Sequence, residues 1–226
     1  MRAVELFGGG GGAWQGLTAA GVEVVRSIEW DEAAHDVAKA AGCPSVQGDV
    51  RDLSLLEGVG DVDLLWSSFP CQAFSSAGKR KGASDERNGW PWTLDVVDHL
   101  KPRWLMAENV TGLTMHSAEH CGNVDRCPAC YLHRVILPEL SKRFAWVGWS
   151  VSDAAAFGTP QHRRRICIIA GPEPVRWPQT THAAPDKCLG LFARRKPWVT
   201  VREALNLDAA TIGSKGNAYA IGCRRG

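Results

Sequence analysis

Ala3-Val-Glu-Leu-Phe7 runs directly into Gly8-Gly-Gly-Gly-Gly12 and then into the apolar-periodic stretch Ala13 to Ala20, closed by Gly21. In order, these read as a buried strand, a glycine loop and a helix, the unit that cradles nucleotides in doubly wound α/β folds. Glycines let a ligand approach the backbone closely, and the first helical turn presents free N–H groups. A run of five glycines satisfies many patterns besides Gly-x-Gly-x-x-Gly, and a plain flexible loop is glycine-rich too. The residues that follow therefore decide the fold.

Val22 to Ile28 reads as a second strand ending in Glu29-Trp30-Asp31. An acidic residue at this offset, roughly 20 residues beyond the glycine loop, suits ribose hydroxyls. Trp30 beside it is suited to stack on a purine. A helix over Glu32 to Ala41 leads to a third strand at Pro44 to Gln47 and to Gly48-Asp49-Val50, whose carboxylate suits an adenine amino group. Each acid alone also fits a helix cap or a solvated strand end. Three βα units in succession, each with a polar group at the same sheet edge, predict an α/β Rossmann-like fold with a mostly parallel sheet flanked by helices.

Val62 to Trp66 reads as a further strand, followed by Ser67-Ser-Phe-Pro-Cys-Gln72. Pro70 fixes its own φ and biases Phe69 toward extended geometry, so Cys71 enters a turn with little freedom. A lone cysteine is more often a small buried hydrophobe. Here Pro70, Gln72 and the Ser, Gly and basic residues just beyond favour a nucleophile at the rim of the sheet. Gln72 to Asn88 is too long and polar for a tight turn and reads as an active-site loop, with plain surface as its alternative. Thr93 to Leu100 reads as a helix and Arg103 to Ala107 as a strand, with Glu108-Asn109-Val110 at its end, on the rim that carries Cys71.

From 112 to 135 the pattern changes to a Cys/His-rich insert, with Cys121, Cys127, Cys130 and His133 in Cys-x5-Cys-x2-Cys-x2-His spacing. Cys127-Pro-Ala-Cys130 is a good zinc half-site, and His133 opens a helix able to carry a fourth ligand. His116 and His120 compete as ligands, and free thiols compete with a structural zinc. Leu132 to Phe144 reads as an amphipathic helix. Ile166 to Ala170 reads as a buried strand, and side chains alternate along a strand, so Gln161, Arg163 and Arg165 are expected to share one surface. Pro172 to Pro197 reads as irregular and Val199 to Leu205 as the start of a helix.

The chain is read as one catalytic domain over 1–207 and a tail over 208–226. Hydrophobic residues make up 45% and charged residues 22%, ordinary for a soluble domain of 226 residues. A net charge of +2 does not by itself argue for nucleic acid, although the basic residues cluster, as in Lys79-Arg-Lys81 and His162-Arg-Arg-Arg165. No apolar run reaches the roughly 18 residues of a membrane span, and no basic leader precedes an apolar signal core. A cytoplasmic location is expected, in a bacterium or a phage-infected host. With no secretory signal, the eight cysteines read as free thiols and one metal site rather than disulfides.

Taken together, Glu5-Leu-Phe-Gly8, Glu29-Trp-Asp31, Gly48-Asp49, Phe69-Pro-Cys-Gln72 with Phe74-Ser75, Glu108-Asn-Val110 and Phe157-Gly-x-Pro-Gln-x-Arg-x-Arg165 stand in one order. The chain thereby resembles the DNA cytosine-5 methyltransferase family over Ala3 to Leu207. The resemblance implies that S-adenosylmethionine lies across Gly8, Gly10 and Gly12, with Phe7 against the adenine, Glu29 on the ribose, Trp30 stacking and Asp49 on the exocyclic amine. Val50 and Pro70 complete the implied cofactor contacts.

It also implies double-stranded DNA as substrate, with a cytosine flipped from the stack. Cys71 attacks C6 as a thiolate and Glu108 acts at N3. Arg163 and Arg165 are the candidate cations that favour the thiolate. Gln72, Ser75, Asn109 and Gln161 would support the substrate side. The chain departs from the family at Glu5, where aspartate is usual, at Ser67-Ser68 in place of a glycine pair, and at Trp90-Pro-Trp92, where a smaller segment is expected. Most of a target-recognition domain is also expected to be absent, with only Gly216-Asn217 hinting at a late motif, so a second chain supplying recognition is expected. A family-derived binding protein without activity, and a variant acting on RNA or with a modified group donor, are the alternatives.

Overall fold

The computed structural model describes residues 1–70, 88–114, 130–188 and 194–207. The chain forms two compact units, Met1–Ser150 with Ile166–Val175, and Val151–Arg165 with Arg176–Gly226.

In the first unit β1 (Arg2–Leu6), β2 (Glu23–Glu29), β3 (Ser45–Gln47), β4 (Leu64–Ser67) and β5 (Trp104–Val110) join β6 (Trp146–Asp153) and β7 (Arg164–Gly171) in one sheet of order β3-β2-β1-β4-β5-β7-β6. β1 pairs in parallel with β2 and β4, β2 with β3, and β4 with β5. The order runs outward from β1 to β3 and then reverses through β4. This creates a switch point between β1 and β4, beside whose carboxyl ends α/β sheets bind ligands.

Helices α1 (Gly12–Ala19), α2 (Glu32–Ala40), α3 (Trp90–Leu100) and α4 (Leu137–Ser141) complete the unit. Apolar residues at strand and helix periods explain the core. Ala3, Val24 and Leu64 of three adjacent strands meet Leu17 of α1, and Trp14, Val22, Trp66, Trp104 and Met106 pack against them. Burying each large apolar side chain is worth about 1.5–3 kcal/mol. α2 starts where Asp31 Oδ1 accepts from Ala34 N at 2.9 Å, and His35 Nδ1 meets Ser45 Oγ at 2.8 Å, tying the helix to β3. Among the described residues no helix is long and apolar enough to cross a membrane.

Four local readings change. α3 begins at Trp90 rather than Thr93, because Pro91 sits in its first turn, where a missing N–H is harmless. β5 continues through Val110, so Glu108 and Asn109 lie within the strand rather than beyond it. Leu105, Ala107 and Asn109 are buried on one face and Glu108 is half-buried on the other. The expected helix from Leu132 opens as a π-helical turn, Leu132–Ile136, before α4. β7 takes up strand geometry only at Arg164. Gln161 and Arg163 therefore lie in the preceding loop, and strand alternation does not place them on one face with Arg165.

The second unit holds a 3-10 turn at Ala154–Phe157, a two-stranded parallel sheet of β8 (His182–Ala183) and β9 (Lys196–Pro197), and α5 (Val201–Ala204). The region read as irregular thus contains paired backbone. α5 starts at a capping box in which Glu203 N donates to Thr200 Oγ1 and Thr200 N donates to Glu203 Oε2. The tail from 208 lies outside the described residues.

Candidate active site

Backbone bonds bring the carboxyl ends of four strands together. Gly8 N donates to Ile28 O at 3.0 Å, Gly48 N to Glu29 O at 2.9 Å and Ser68 N to Leu6 O at 3.3 Å. The glycine loop, the Glu29 turn, the Asp49 turn and the stem of the cysteine loop therefore share one sheet edge, as the succession of βα units implied.

β1 ends abruptly at Phe7, whose φ of 57° is the left-handed region that a bulky residue seldom enters. Such an outlier persists where surrounding structure holds it, and such residues cluster at ligand sites. It turns the chain into Gly8, where an added Cβ would lie 2.2 Å from Ser27 Oγ and 3.3 Å from Glu5 Oε2. Only glycine fits so close to β2. Gly10 and Gly12 are exposed, and an added Cβ at Gly12 would meet nothing within 4 Å.

Two carboxylates hold this loop from below. Glu29 Oε2 accepts from Gly9 N at 2.7 Å, and its Oε1 accepts from Asp31 N at 2.9 Å. Glu5 Oε1 accepts from Trp14 N at 3.2 Å, supplying a cap for α1 where its own N-cap, Gly11, has no side chain. Among the described residues, the other oxygen, Glu5 Oε2, and Ser27 Oγ beside it are buried with no well-formed hydrogen bond, and the Ser27 and Trp14 contacts only partly offset the burial. Burial pushes the Glu5 carboxyl above its ordinary range. Cys43 packs close to the same pair, and burial pushes its thiol up to about 11.

Trp30 follows Glu29 and is 74% exposed, an unusual place for an indole and the expected place for a stacking platform. Asp49 carries more than the sequence suggested: Arg51 Nε reaches both its oxygens, at 2.9 and 3.0 Å, and the Arg51 guanidinium carbon lies 4.9 Å from the centre of the Trp92 ring. These bonds hold the Asp49 carboxyl below its usual range. Val50 is buried.

On the other side of the switch point, Phe69 is buried with its ring 5.3 Å from Trp90, and its carbonyl accepts from Asn109 Nδ2 at 3.0 Å. Pro70 is half-buried. An added Cβ at Gly89 would lie 2.6 Å from Pro70 Cδ, 2.9 Å from Phe7 Cζ and 3.3 Å from Phe69 Cβ. Gly89 is thus the meeting point of the glycine-loop side and the cysteine-loop stem, a role sequence reading missed. Asn88-Gly89 ahead of Trp90-Pro91 was its only signal, and that signal marks a helix start as readily. The start of α3 is fixed further by Ser67 Oγ against Thr93 Oγ1 at 2.8 Å and by Asn88 Nδ2 donating to Tyr131 Oη at 2.8 Å. Cys71, Gln72 and Ser75 lie outside the described residues.

Glu108 is half-buried in β5, and its charge adds to the burial that pushes the Cys167 thiol up to about 11. In the insert, Cys130 is fully buried and its Sγ lies 3.1 Å from His133 Nδ1, while His133 meets the Trp149 ring edge-on at 5.7 Å. Cys121 and Cys127 lie outside the described residues. Among the described residues no three His, Cys, Asp or Glu side chains gather as a metal site.

In the second unit Asp153 organises the basic segment. Its Oδ1 accepts from Arg163 N at 2.9 Å and its Oδ2 meets His162 Nδ1 at 2.9 Å. Burial alone would raise the Asp153 carboxyl, but the His162 contact and the Ala155 and Arg163 N–H donors together hold it below its usual range. His162 in turn packs edge-on against Trp198 at 4.4 Å. Gln161 and Arg163 are exposed, and Arg165 is half-buried.

The sequence matches the family model described as C-5 cytosine-specific DNA methylase over residues 1–202. It is 36% identical over 194 residues to the type II methyltransferase M.NaeI of Lentzea aerocolonigenes, covering 82% of this chain and 44% of that protein. It is 28% identical over 228 residues to the type II methyltransferase M.AquIA of a Picosynechococcus strain, covering 91% of this chain and 88% of that protein. The chain spans about half the length of other curated relatives it matches, as with the 49% of M.HaeII of Haemophilus aegyptius. Among solved structures, the S. pombe Dnmt2 methyltransferase shares the fold, with a TM-score of 0.57, 20% identity, 78% of this chain covered and 53% of that one.

Proposed function

The chain belongs to the C-5 cytosine-specific DNA methylase family, and on that premise we propose that it transfers a methyl group from S-adenosylmethionine to C5 of cytosine in double-stranded DNA. The observation that carries this reading is the shared sheet edge on which Phe7, Glu29 and Asp49 stand across the switch point from the Phe69-Pro70 stem of the cysteine loop.

The residues fit the cofactor. Gly8 keeps the loop tight to β2, Gly12 leaves open space above the backbone, Trp30 offers a ring face, and Glu29 and Asp49 offer acceptors for hydroxyl and amino groups. Bound there, S-adenosylmethionine supplies an electrophilic methyl group. On the substrate side, Cys71 as thiolate forms a bond to C6 while Glu108 hydrogen-bonds N3, so electron density moves to C5, an otherwise poor carbon nucleophile. C5 would then bond the methyl carbon as the methyl–sulfur bond breaks and S-adenosylhomocysteine leaves, and loss of the C5 proton to a base would expel Cys71 from C6 and regenerate the thiolate. Arg163 and Arg165 are proposed, from the sequence pattern, as cations that favour the thiolate. Asn109 holds the stem that carries Cys71, and Gln72, Ser75 and Gln161 are proposed on the substrate side.

Cys130 and His133 offer a sulfur and an imidazole nitrogen in contact, a donor set that suits zinc. We assign them, with Cys121 and Cys127, as ligands of a structural zinc. A second chain supplying target recognition is also proposed. A bacterial or phage-infected cytoplasm is the setting that the curated relatives suggest.

The test is incubation of the full chain with unmodified duplex DNA and methyl-labelled cofactor, beside Cys71→Ala. Label should enter DNA as 5-methylcytosine with the native protein only. Transfer that survives Cys71→Ala would overturn the mechanism, and cofactor binding without turnover on any DNA would favour a family-derived binding protein.

A further inference from the structure

We infer that Arg51, resting on Trp92, is a positioning residue that presents Asp49 to the adenine amino group of the cofactor and thereby sets base selectivity at that end of the site. The inference rests on the proposed reading of Asp49 as the adenine acceptor.

A carboxylate offers about four lone-pair directions. Asp49 receives three donor groups from one residue: the Arg51 backbone N–H on Oδ1 at 2.9 Å, the Arg51 Nε–H shared between Oδ1 at 2.9 Å and Oδ2 at 3.0 Å, and Arg51 Nη2 on Oδ2. Each oxygen is thus met twice, with the single Nε–H proton divided between them, so the carboxylate faces three protons and a further amino N–H competes with the shared one. The arrangement is local, spanning two residues, so the carboxylate cannot swing without breaking a two-pronged pair. The guanidinium is itself held, because its carbon lies 4.9 Å from the centre of the half-buried Trp92 ring.

The pair does little for stability. The Arg51 side chain is 59% exposed, and exposed pairs contribute little to folding. A planar fork on an aromatic face is a device for orientation, and lysine does not reproduce it. The placement also gives a use to Trp92, which sits in the first turn of α3 where a smaller residue was expected.

The experiment is calorimetric titration of the full chain with S-adenosylhomocysteine and with its inosyl counterpart, which carries a 6-oxo group where adenine has its amine. Native protein should prefer the adenosyl ligand by roughly 10- to 150-fold, the range of one hydrogen bond to a charged group. Asp49→Ala should abolish that preference. Arg51→Ala should reduce it to within about threefold, and Arg51→Lys should fall between, since charge is kept and the fork is lost.

If native protein shows no preference, or Asp49→Ala leaves it intact, the reading of Asp49 fails and the inference fails with it. If Asp49→Ala abolishes the preference while Arg51→Ala keeps it in full, Asp49 stands and the role of Arg51 is overturned. Equal weakening of both ligands in Arg51→Ala, with the ratio unchanged, is a merely structural effect and also overturns it. Should Arg51→Ala not fold, Arg51→Lys at unchanged melting temperature decides: a reduced ratio supports positioning and an unchanged ratio refutes it.

Discussion

Asn109 Nδ2 donates to the Phe69 carbonyl at 3.0 Å across forty residues of sequence, while its Oδ1 accepts from Val110 N at 2.8 Å. One buried amide therefore joins the inner face of β5 to the stem of the cysteine loop, with both of its ends satisfied. The substitution Asn109→Asp keeps the shape but sets an acceptor against the Phe69 carbonyl. A buried group left unsatisfied costs about 1–3 kcal/mol. Misplacing a catalytic group costs turnover more than binding, on the order of 100-fold for a shift of about 1 Å. Asn109→Asp should therefore lower kcat by about 10- to 100-fold with little change in S-adenosylhomocysteine affinity. Single-turnover methylation beside calorimetry checks this, and an equal fall in both quantities would refute a role confined to the loop stem.

Gly89 makes a different prediction because its backbone is ordinary, with φ −76° and ψ 0°. Alanine is allowed there by conformation, and the obstacle is space: the new methyl would lie 2.6 Å from Pro70 Cδ and 2.9 Å from Phe7 Cζ. Overpacking of this kind costs about 1–3 kcal/mol. Gly89→Ala should lower the urea midpoint and weaken both cofactor binding and turnover, since it displaces both sides of the switch point. Gly16→Ala, in mid-α1 with nothing within 4 Å of the new methyl, is the control. It should stabilise by about 0.5–1 kcal/mol through helix propensity. A Gly89→Ala protein as stable and active as native would disprove the close packing.

The contrast between these two residues shows what the sequence could carry. The succession of strands and helices, the mostly parallel sheet and the acids at strand ends were legible because apolar runs and βα succession are local patterns, whereas the strand order and its switch point emerge only from the pairing. Asn109 was legible as part of Glu108-Asn-Val110, but its partner was not, since a carbonyl acceptor leaves no mark on residue identity. Gly89 and Arg51 were missed for the same reason. A glycine before a helix reads as punctuation, and an arginine two residues beyond an aspartate reads as solvated charge. The displaced start of β7 also had no local signal: what holds Arg163 off the strand is its N–H bond to Asp153, ten residues earlier. The departure at Trp90-Pro-Trp92 was visible, and the structure gives both rings work, Trp90 on Phe69 and Trp92 on Arg51.

The Cys130 and His133 pair predicts metal content. The full chain purified without chelator should carry close to one equivalent of zinc by elemental mass spectrometry, following the donor set proposed above. Cys130→Ser should reduce that content to background. A π-helical turn carries His133, and such turns recur at functional sites. Full zinc retention in Cys130→Ser, or a native protein free of zinc, would overturn the assignment of Cys130 as a zinc ligand.

Glu5 predicts a pH dependence whose sign follows from burial. Its carboxyl is fully buried, and burial outweighs the Ser27 and Trp14 contacts to raise it above its ordinary value of 4.5. A carboxyl raised in the folded state is held neutral there while the unfolded chain ionises. The folded protein then binds the extra proton, so stability falls with rising pH. The contribution is fully present below the ordinary value and is lost as pH climbs through the raised one, at a slope of up to about 1.4 kcal/mol per pH unit. Glu5→Gln keeps an acceptor for Trp14 N and the near-equal shape, but has no proton to lose. Urea unfolding from pH 5 to 8 should therefore give a flatter stability profile for Glu5→Gln than for native protein, with the variant equal or more stable at pH 8. The same neutral cap should leave α1 in place, so cofactor affinity at pH 6 should stay within about threefold of native, less than one unit of pKa in free energy. Parallel stability profiles for the two proteins would show that Glu5 is ionised in the folded state.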